Sequence, residues 1–305
     1  MIFAILINKY RQLIRLEEKM RTKNLLSLVA AIAAVMVGTS CYAGEQPAAV
    51  YGSGANQFSL ATGSPGELGL LKVLAEAFGK QDNARMAWYK AGSGESLHLL
   101  KGKKVDMIMV HAPAAEKKAV KEGWATKPAL IGSNEFFLVG PANDPAKIAE
   151  AKSAVDAYRR VAAAKARFFS RGDNSGTHKK EMDLWKKAEI KPQGDWYVVT
   201  KDFMTATLKR ANQEKGYFMV DSSTWVAEKK DVPDLKILFK GDKLLVNTYH
   251  ALCQQPGATP GSATAAKFID FVASPQGQKI IQDYGKDKYG EGLYNDAAYA
   301  KQYDE

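Results

Sequence analysis

The sequence predicts an α/β fold with mostly parallel sheets, and two observations support this prediction. Short apolar runs that fit buried strands alternate with amphipathic runs that fit helices along most of the chain. One apolar run, residues 105–110, is too continuous for a half-exposed strand and is typical of a central strand in a parallel sheet. Ligands of such sheets bind at the carboxyl ends of the strands, beside the helix starts.

The individual elements follow from the spacing of apolar residues. In the helix predicted over 67–80, for example, Leu70, Leu71, Leu74 and Phe78 recur at helical spacing. Strands are predicted at 57–61, 85–89, 105–110, 135–139, 168–169, 196–199, 216–220, 235–239 and 244–249. Helices are predicted at 67–80, 95–100, 114–121, 144–165, 176–188, 205–213, 224–228, 263–272 and 275–284.

The composition is that of a folded protein with a modest basic excess. The chain has 305 residues, 46% of them hydrophobic and 25% charged, which allows one large domain or two of ordinary size. The formal net charge is +10, and six basic against two acidic residues place +4 of it in residues 1–43. The remaining excess favours anionic ligands at long range without specifying one. Basic and aromatic residues form no stacking face, so nucleic acid is not an expected partner.

Residues 1–43 are predicted to be an N-terminal extension and signal peptide. Arg21 and Lys23 form a basic start, residues 25–37 are apolar and uncharged, and small residues precede position 44. The apolar run is short for a membrane span. We therefore expect export to the periplasm, with an uncleaved anchor and a lipid anchor through Cys41 as alternatives.

Three junctions between a strand and a helix carry hydroxyl groups, and the third also carries an arginine. Polar loops at helix starts leave backbone N–H groups unpaired, and the helix dipole favours an anion there. A guanidinium adds a planar cation suited to oxygen anions. Ordinary helix capping explains the same Ser, Thr and Asn residues equally well on composition alone. If the loops converge, they surround one small anion with Thr62, Ser64, Ser93, Arg171, Ser175 and Thr177.

Motifs of catalytic and metal-binding proteins are missing from the sequence. The run Gly172–Gly176 resembles the GDSGG motif of serine proteases, but Asn174 interrupts it. The sequence contains no G-x-S-x-G elbow and no Walker A loop. Its four histidines do not have the spacing of metal ligands, and His111 and His178 are predicted to be packing or hydrogen-bonding groups. We therefore expect no enzyme, no metal and no cofactor.

Two longer motifs resemble signatures of the tungstate-binding proteins of ABC uptake systems. The first is VHAPAAEKK at 110–118, and the second is SRGDNSGTHKKE at 170–181. Segments 137–141 and 195–197 are also similar to the family, so that the resemblance covers roughly the whole mature chain. It implies a two-lobed, type II periplasmic-binding-protein fold with the ligand in the cleft between the lobes.

The resemblance also implies the limits of the lobes. Crossing strands are expected near Phe136–Val139 and Asn247–Ala251. Lobe 1 is then formed by residues 44–135 and by a return segment, 250–305, and lobe 2 by residues 136–249.

A set of ligand-binding residues follows from the resemblance as well. The family's Thr/Ser-rich first loop is matched only by Thr62 and Ser64, its GTG-type loop by Gly92–Gly94 with Ser93, and its third loop by Arg171, Ser175, Gly176 and Thr177. Two later patches depart from the family pattern: GxGMG becomes KDFMT at 201–205, and TDRGT becomes VDSST at 220–224, which loses an arginine. These departures concern the identity of the ligand more than the fold.

The resemblance implies a monomeric, exported solute-binding protein that captures a tetrahedral oxyanion, tungstate first, for an ABC permease in the inner membrane. The alternatives are molybdate, phosphate or a small organic acid on the same fold, or an exported phosphate-ester hydrolase. Tungstate is fully ionised and needs only donors, whereas phosphate often keeps a proton and needs an acceptor such as Asp173. The other interpretation of Asp173 is a loop residue that bonds its own backbone or Arg171.

Overall fold

The computed structural model of the protein describes residues 46–304, so the predicted signal peptide and Cys41 lie outside the described residues. Within this range no helix is long and apolar enough to cross a membrane. The strands, β1 to β10 in chain order, are Ala49–Tyr51, Asn56–Thr62, Ala84–Lys90, Met107–Val110, Thr126–Pro141, Phe168–Ser170, Tyr197–Val199, Tyr217–Asp221, Leu235–Phe239 and Val246–Cys253. The α-helices, α1 to α12, are Ser64–Glu67, Leu70–Asp82, Ser93–Lys101, Pro113–Lys121, Ala154–Ala163, Gly176–Lys187, Met204–Gln213, Ser222–Glu228, Ser262–Ala273, Pro275–Asp283, Lys286–Tyr289 and Ala297–Ala300.

The ten strands are hydrogen-bonded in the order β1-β3-β2-β4-β10-β5-β8-β6-β7, and β9 pairs with β5. The predicted α/β fold is confirmed. The prediction of mostly parallel sheets is wrong, since β2 with β3 and β4, and β6 with β7 and β8, are the parallel pairs, and the other five pairings are antiparallel. Four of those five involve β5 or β10, which run against their neighbours in the middle of the strand order.

Strand β5 belongs to both parts of the strand order. Residues from Thr126 to Glu135 pair with β10, and those from Phe136 onward pair with β8. The sequence predicted only the apolar part at 135–139, because the residues before it include polar residues, a proline and a glycine and show no apolar pattern typical of a strand. The two expected crossing strands correspond to β5 and β10. The lobe limits themselves stay predictions.

Apolar cores lie on both faces of one group of strands, which contains β2, β3, β4 and β10. A third core surrounds the other group, which contains β6, β7, β8 and the second part of β5. Along β4, Met107 and Met109 pack into one core, whereas Ile108 and Val110 pack into another, as alternation along a strand requires. The predicted central strand is therefore buried on both faces. Around β6 a separate core is built on aromatic residues, with the Tyr158 and Trp185 rings 4.4 Å apart in a T-shaped pair.

The structure differs from the predicted helices and strands at three places in the first half of the chain. The helix expected over 144–165 is a 3₁₀ turn, Ile148–Glu150, followed by α5, because Lys147 has a left-handed backbone and Ser153 caps α5 by accepting from the Asp156 N–H. Residues 64–67, most of which lie outside the predicted elements, form α1, where a proline in the first turn favours a helix start. Residues 49–51, which also lie outside the predicted elements, form the short strand β1.

Candidate functional site

One small cavity collects residues from all three of the loops singled out in the sequence. Its lining includes Thr62 at the end of β2 and Ser64 just after it, Ser93 at the start of α3, and Arg171 and Ser175 after β6. The structure thus brings together five of the predicted site residues, while Gly176 and Thr177 follow directly in the first turn of α6. The rest of the lining is formed by Gly63, Pro65, Glu67, Gly92, Met109, His111, Phe203 and Tyr249.

Two glycines, the N-cap of α3 and its second residue, allow the start of α3 to touch the loop before α6. A side chain on Gly92 would bring its Cβ within 3.1 Å of the Ser175 Cβ. A Cβ on Gly94 would lie 2.5 Å from the carbonyl oxygen of Asn174, closer than real contacts allow. The absence of side chains at these two positions therefore lets the loops meet over the cavity.

The start of α6 presents hydroxyl and backbone donors. Ser175 caps this twelve-residue helix by accepting from the His178 N–H at 3.2 Å, so that its own hydroxyl proton can still be donated. The first N–H groups of a helix have no partner inside it, and the dipole there favours an anion. The Thr177 hydroxyl is buried and has no hydrogen-bond partner among the described residues. Capping and anion binding, left open by the sequence, are compatible at this helix start.

Arg171 is a buried cation with fixed neighbours. It is 4% exposed, and its Nη2 lies 2.5 Å from Asp173 Oδ2. Its Nε donates to the Asp202 carbonyl at 3.2 Å. These bonds use two of the five guanidinium N–H groups and hold its plane in place. Asp173 also accepts from the Ser175 N–H at 3.1 Å, so that its carboxylate acts within the loop.

The hydroxyls of the first two loops are used differently. Ser93 accepts from the His111 N–H at 3.3 Å, which leaves its own proton for donation. Thr62 donates its hydroxyl proton to the Met109 carbonyl at 2.8 Å and in this way ties β2 to β4. Ser64 is half-buried in the first turn of α1. Ser93 is therefore better prepared than Thr62 to donate to an anion.

His111 lines the cavity and is fixed by a chain of amides. Its Nδ1 lies 2.8 Å from Asn247 Oδ1, Asn247 Nδ2 donates to Asn134 Oδ1 at 2.7 Å, and Asn134 Nδ2 donates to Asp221 at 3.2 Å. Because a carboxylate only accepts, the chain makes His111 Nδ1 the donor to Asn247. Burial lowers the pKa of His111 to about 4, and Arg171 acts in the same direction, so that the ring is neutral near pH 7.

The two segments that depart from the family pattern, 201–205 and 220–224, lie at different places relative to the cavity. Phe203, within the 201–205 patch, lines the cavity. Asp221 ends β8 and caps α8, with its carboxylate accepting from the Thr224 N–H and hydroxyl, from Ser223 and from Asn134. The 220–224 patch therefore supports the chain of amides that fixes His111. The sequence did not predict Phe203, Tyr249 or His111 as lining residues. Of the three, only His111 had a signal in the sequence, namely its position directly after the strand β4.

Glu181, the last residue of the second motif, leads to a prediction about pH. Its carboxylate is buried and accepts from the Tyr197 hydroxyl at 2.7 Å and from Trp185 Nε1 at 3.1 Å. Burial raises its pKa from 4.5 to about 7, so that between these values the folded chain holds more protons than the unfolded chain. Stability should therefore fall as pH rises through this window, by up to about 1.4 kcal/mol per pH unit from this group. In Glu181→Gln we expect this contribution to be absent.

Urea denaturation between pH 5 and 8 measures this effect. As pH rises, the free energy of unfolding of Glu181→Gln should increase relative to that of the unaltered chain. For Glu76→Gln, at an exposed position, the difference from the unaltered chain should stay constant. A constant difference between Glu181→Gln and the unaltered chain across this range would show that Glu181 is ionised throughout.

Comparisons with known proteins agree with this architecture. The family profile of the PBP (periplasmic binding protein) superfamily domain matches residues 49–276. The tungstate-binding protein TupA of Peptoclostridium acidaminophilum is 34% identical over 280 residues, which is 89% of this chain and 98% of that protein. The solved tungstate ABC transporter structure from Geobacter sulfurreducens is 39% identical, with 76% of this chain and 100% of that one covered and a TM-score of 0.69. The tungstate-binding protein TupA from Desulfovibrio alaskensis G20 is 37% identical, with 79% and 99% covered and a TM-score of 0.66.

Proposed function

Since this chain belongs to the PBP superfamily, in the family of the tungstate-binding proteins of ABC transporters, we propose that it captures tungstate and delivers it to an ABC permease. The observation that carries the proposal is the convergence of three separate segments on one cavity, with Ser64 from the first, Ser93 from the second and Arg171 with Ser175 from the third. The proposed ligand-binding set is Thr62, Ser64, Ser93, Arg171, Ser175, Gly176 and Thr177.

The pairing of the carboxylates favours an anion without protons. Asp173, the acceptor that the sequence offered for hydrogen phosphate, is held by Arg171 and by the Ser175 N–H. Glu67, a carboxylate in the lining, lies 2.7 Å from the ammonium of Lys90. Both carboxylates are thus paired within the protein, and the hydroxyl, backbone and guanidinium donors around the cavity suit a fully ionised oxyanion.

The number of donors is sufficient for tight binding. A hydrogen bond to a charged group contributes about 1.5–3 kcal/mol. Nanomolar affinity needs about 12 kcal/mol. Roughly six donors on one oxyanion reach this value after ordering costs, and Ser93, Ser175, Thr177 and Arg171 with the first N–H groups of α6 supply that many.

Calorimetry with four anions tests the proposal. Tungstate, molybdate, sulfate and phosphate are titrated into the same preparation at fixed ionic strength. We expect strong heat and nanomolar affinity with tungstate, and little heat with sulfate and phosphate. Heat with molybdate or phosphate alone would reject tungstate and assign the same fold to another anion.

Transport adds three elements to the proposal. We infer that the chain is exported to the periplasm, acts as a monomer and is recognised by the permease when its lobes have closed on the anion. Strands β5 and β10, which pair with each other through the middle of the strand order, are suited to act as the hinge. Closure around the ligand then signals that the site is occupied.

The hydrolase alternative has weaker support from the geometry. Ser175 Oγ accepts from the backbone N–H of His178, and the Nδ1 of His178 accepts from the Asn174 N–H. Neither contact makes His178 a base for Ser175. We propose that the protein is not an enzyme. Turnover of a generic phosphate ester that is lost in Ser175→Ala would contradict this.

A further inference from the structure

Phe203 occupies a position where a helix start does not favour an aromatic residue. It is the N-cap of α7, and its side chain makes no capping hydrogen bond. Ser, Asp and Asn are preferred at such positions because their oxygens accept from the first N–H groups, which a phenyl ring does not do. The ring is half-buried and lines the cavity. What Phe203 does there is therefore better explained by the cavity than by the helix.

The ring of Phe203 is in contact with a buried and an exposed cation. The Arg171 guanidinium carbon is 5.5 Å from the ring centroid, and the Lys90 ammonium is 4.1 Å from it. The Arg171 side chain is 5% exposed, and the Lys90 side chain is 38% exposed. The order from the interior outward is thus Arg171, Phe203, Lys90, which places the ring on the solvent side of the buried charge.

The contact joins two segments that are far apart in the chain. Lys90 ends β3, whereas Phe203 and Arg171 follow β7 and β6 in the other group of strands. Lys90 is oriented by Glu67 of α1, which also lines the cavity. A cation over an aromatic face is attractive, and the attraction grows where water is excluded. The pair therefore forms only when these two parts of the molecule are close together.

We propose that Phe203 and Lys90, with Glu67 orienting the lysine, form a latch that closes over the bound anion and sets its rate of release. The inference rests on the proposed function. The ring keeps water from Arg171, and the charge of Arg171 acts more strongly on an anion in a drier site.

The dissociation rate of tungstate tests the latch. The full chain loaded with tungstate is mixed in a stopped-flow instrument with excess unlabelled competitor anion, and tryptophan fluorescence is followed. We expect Phe203→Ala to raise the dissociation rate about tenfold, with a much smaller change in the association rate. Lys90→Met should raise it in the same direction, and the double variant should change less than the product of the two single effects.

A matched control uses a second lysine over a ring. Lys288 lies 4.9 Å from the ring centroid of Tyr289, away from the cavity, and Lys288→Met should leave the dissociation rate unchanged. A dissociation rate in Phe203→Ala within twofold of the unaltered chain, with tight binding retained, would overturn the latch alone. If the dissociation rate of the double variant changed by the full product of the two single effects, the pairing of Phe203 with Lys90 would be overturned. Failure of the unaltered chain to bind tungstate would instead overturn the proposed function, and the latch with it.

Discussion

Replacing Arg171 by alanine is expected to weaken tungstate binding at least a hundredfold. Among the described residues that line the cavity, Arg171 is the one Lys or Arg. Its removal takes away the cation and also leaves Asp173, at present 2.5 Å from the guanidinium, as an unpaired negative charge beside the anion. A hundredfold loss corresponds to about 2.7 kcal/mol, which is within the cost of removing one partner of a charged hydrogen bond.

Two further substitutions test whether tungstate affinity depends on the position of the cation and on the planar shape of the guanidinium. Arg171→Lys keeps the charge but loses the fork that reaches both Asp173 and the Asp202 carbonyl, and we expect an intermediate loss. Arg210 is also paired with a carboxylate, Glu214, and also lies over a phenylalanine ring, but it is outside the lining. Arg210→Ala should bind tungstate as the unaltered chain does. Unchanged affinity in Arg171→Ala would place the anion elsewhere.

Gly94→Ala is expected to weaken tungstate binding by about tenfold to a hundredfold without lowering the stability of the ligand-free protein. The added Cβ would lie 2.5 Å from the Asn174 carbonyl oxygen in the loop before α6. Crowding of this kind costs about 1–3 kcal/mol when the structure has to shift. The strain exists only while the loops before α3 and α6 touch, and separation of the loops relieves it. Alanine is itself a better helix residue than glycine.

Calorimetry and thermal melts with and without tungstate separate these two effects. The control is Gly102→Ala at the other end of α3, where a Cβ meets only ordinary contacts of 3.4 Å or more. We expect Gly102→Ala to bind normally. If Gly94→Ala bound tungstate as tightly as the unaltered chain, contact between the two loops would not be needed for binding.

The fold was predictable where local pattern decides it. The strand 105–110 and the helix at 176–188 follow from continuous apolar runs and from helical spacing, and both are present with small shifts at their ends. The first nine residues of β5 were missed, because a strand with lysine, proline and glycine is specified by its partner β10 rather than by its own periodicity. The antiparallel pairings of the middle strands were missed for the same reason.

The site was predictable where one segment carries both the chemistry and the local geometry. Arg171, Ser175 and Ser93 stand in polar loops at helix starts, a pattern that the sequence displays directly. Phe203 and His111 carry no such signal, because each is explained by a contact with a distant residue. The partner of His111 is Asn247, 136 residues away, and the partner of Phe203 is Lys90. Contacts of this kind follow from the fold and not from spacing.

Anomalous diffraction at a tungsten absorption edge, from crystals grown with one equivalent of tungstate, tests the central claim most directly. We expect one strong tungsten peak per chain, in the cavity, with its oxygens within hydrogen-bonding distance of Ser93, Arg171 and Ser175. A tungsten peak outside that cavity, or none in a fully occupied crystal, would contradict the claim that the loops carrying Ser93, Arg171 and Ser175 form the anion site.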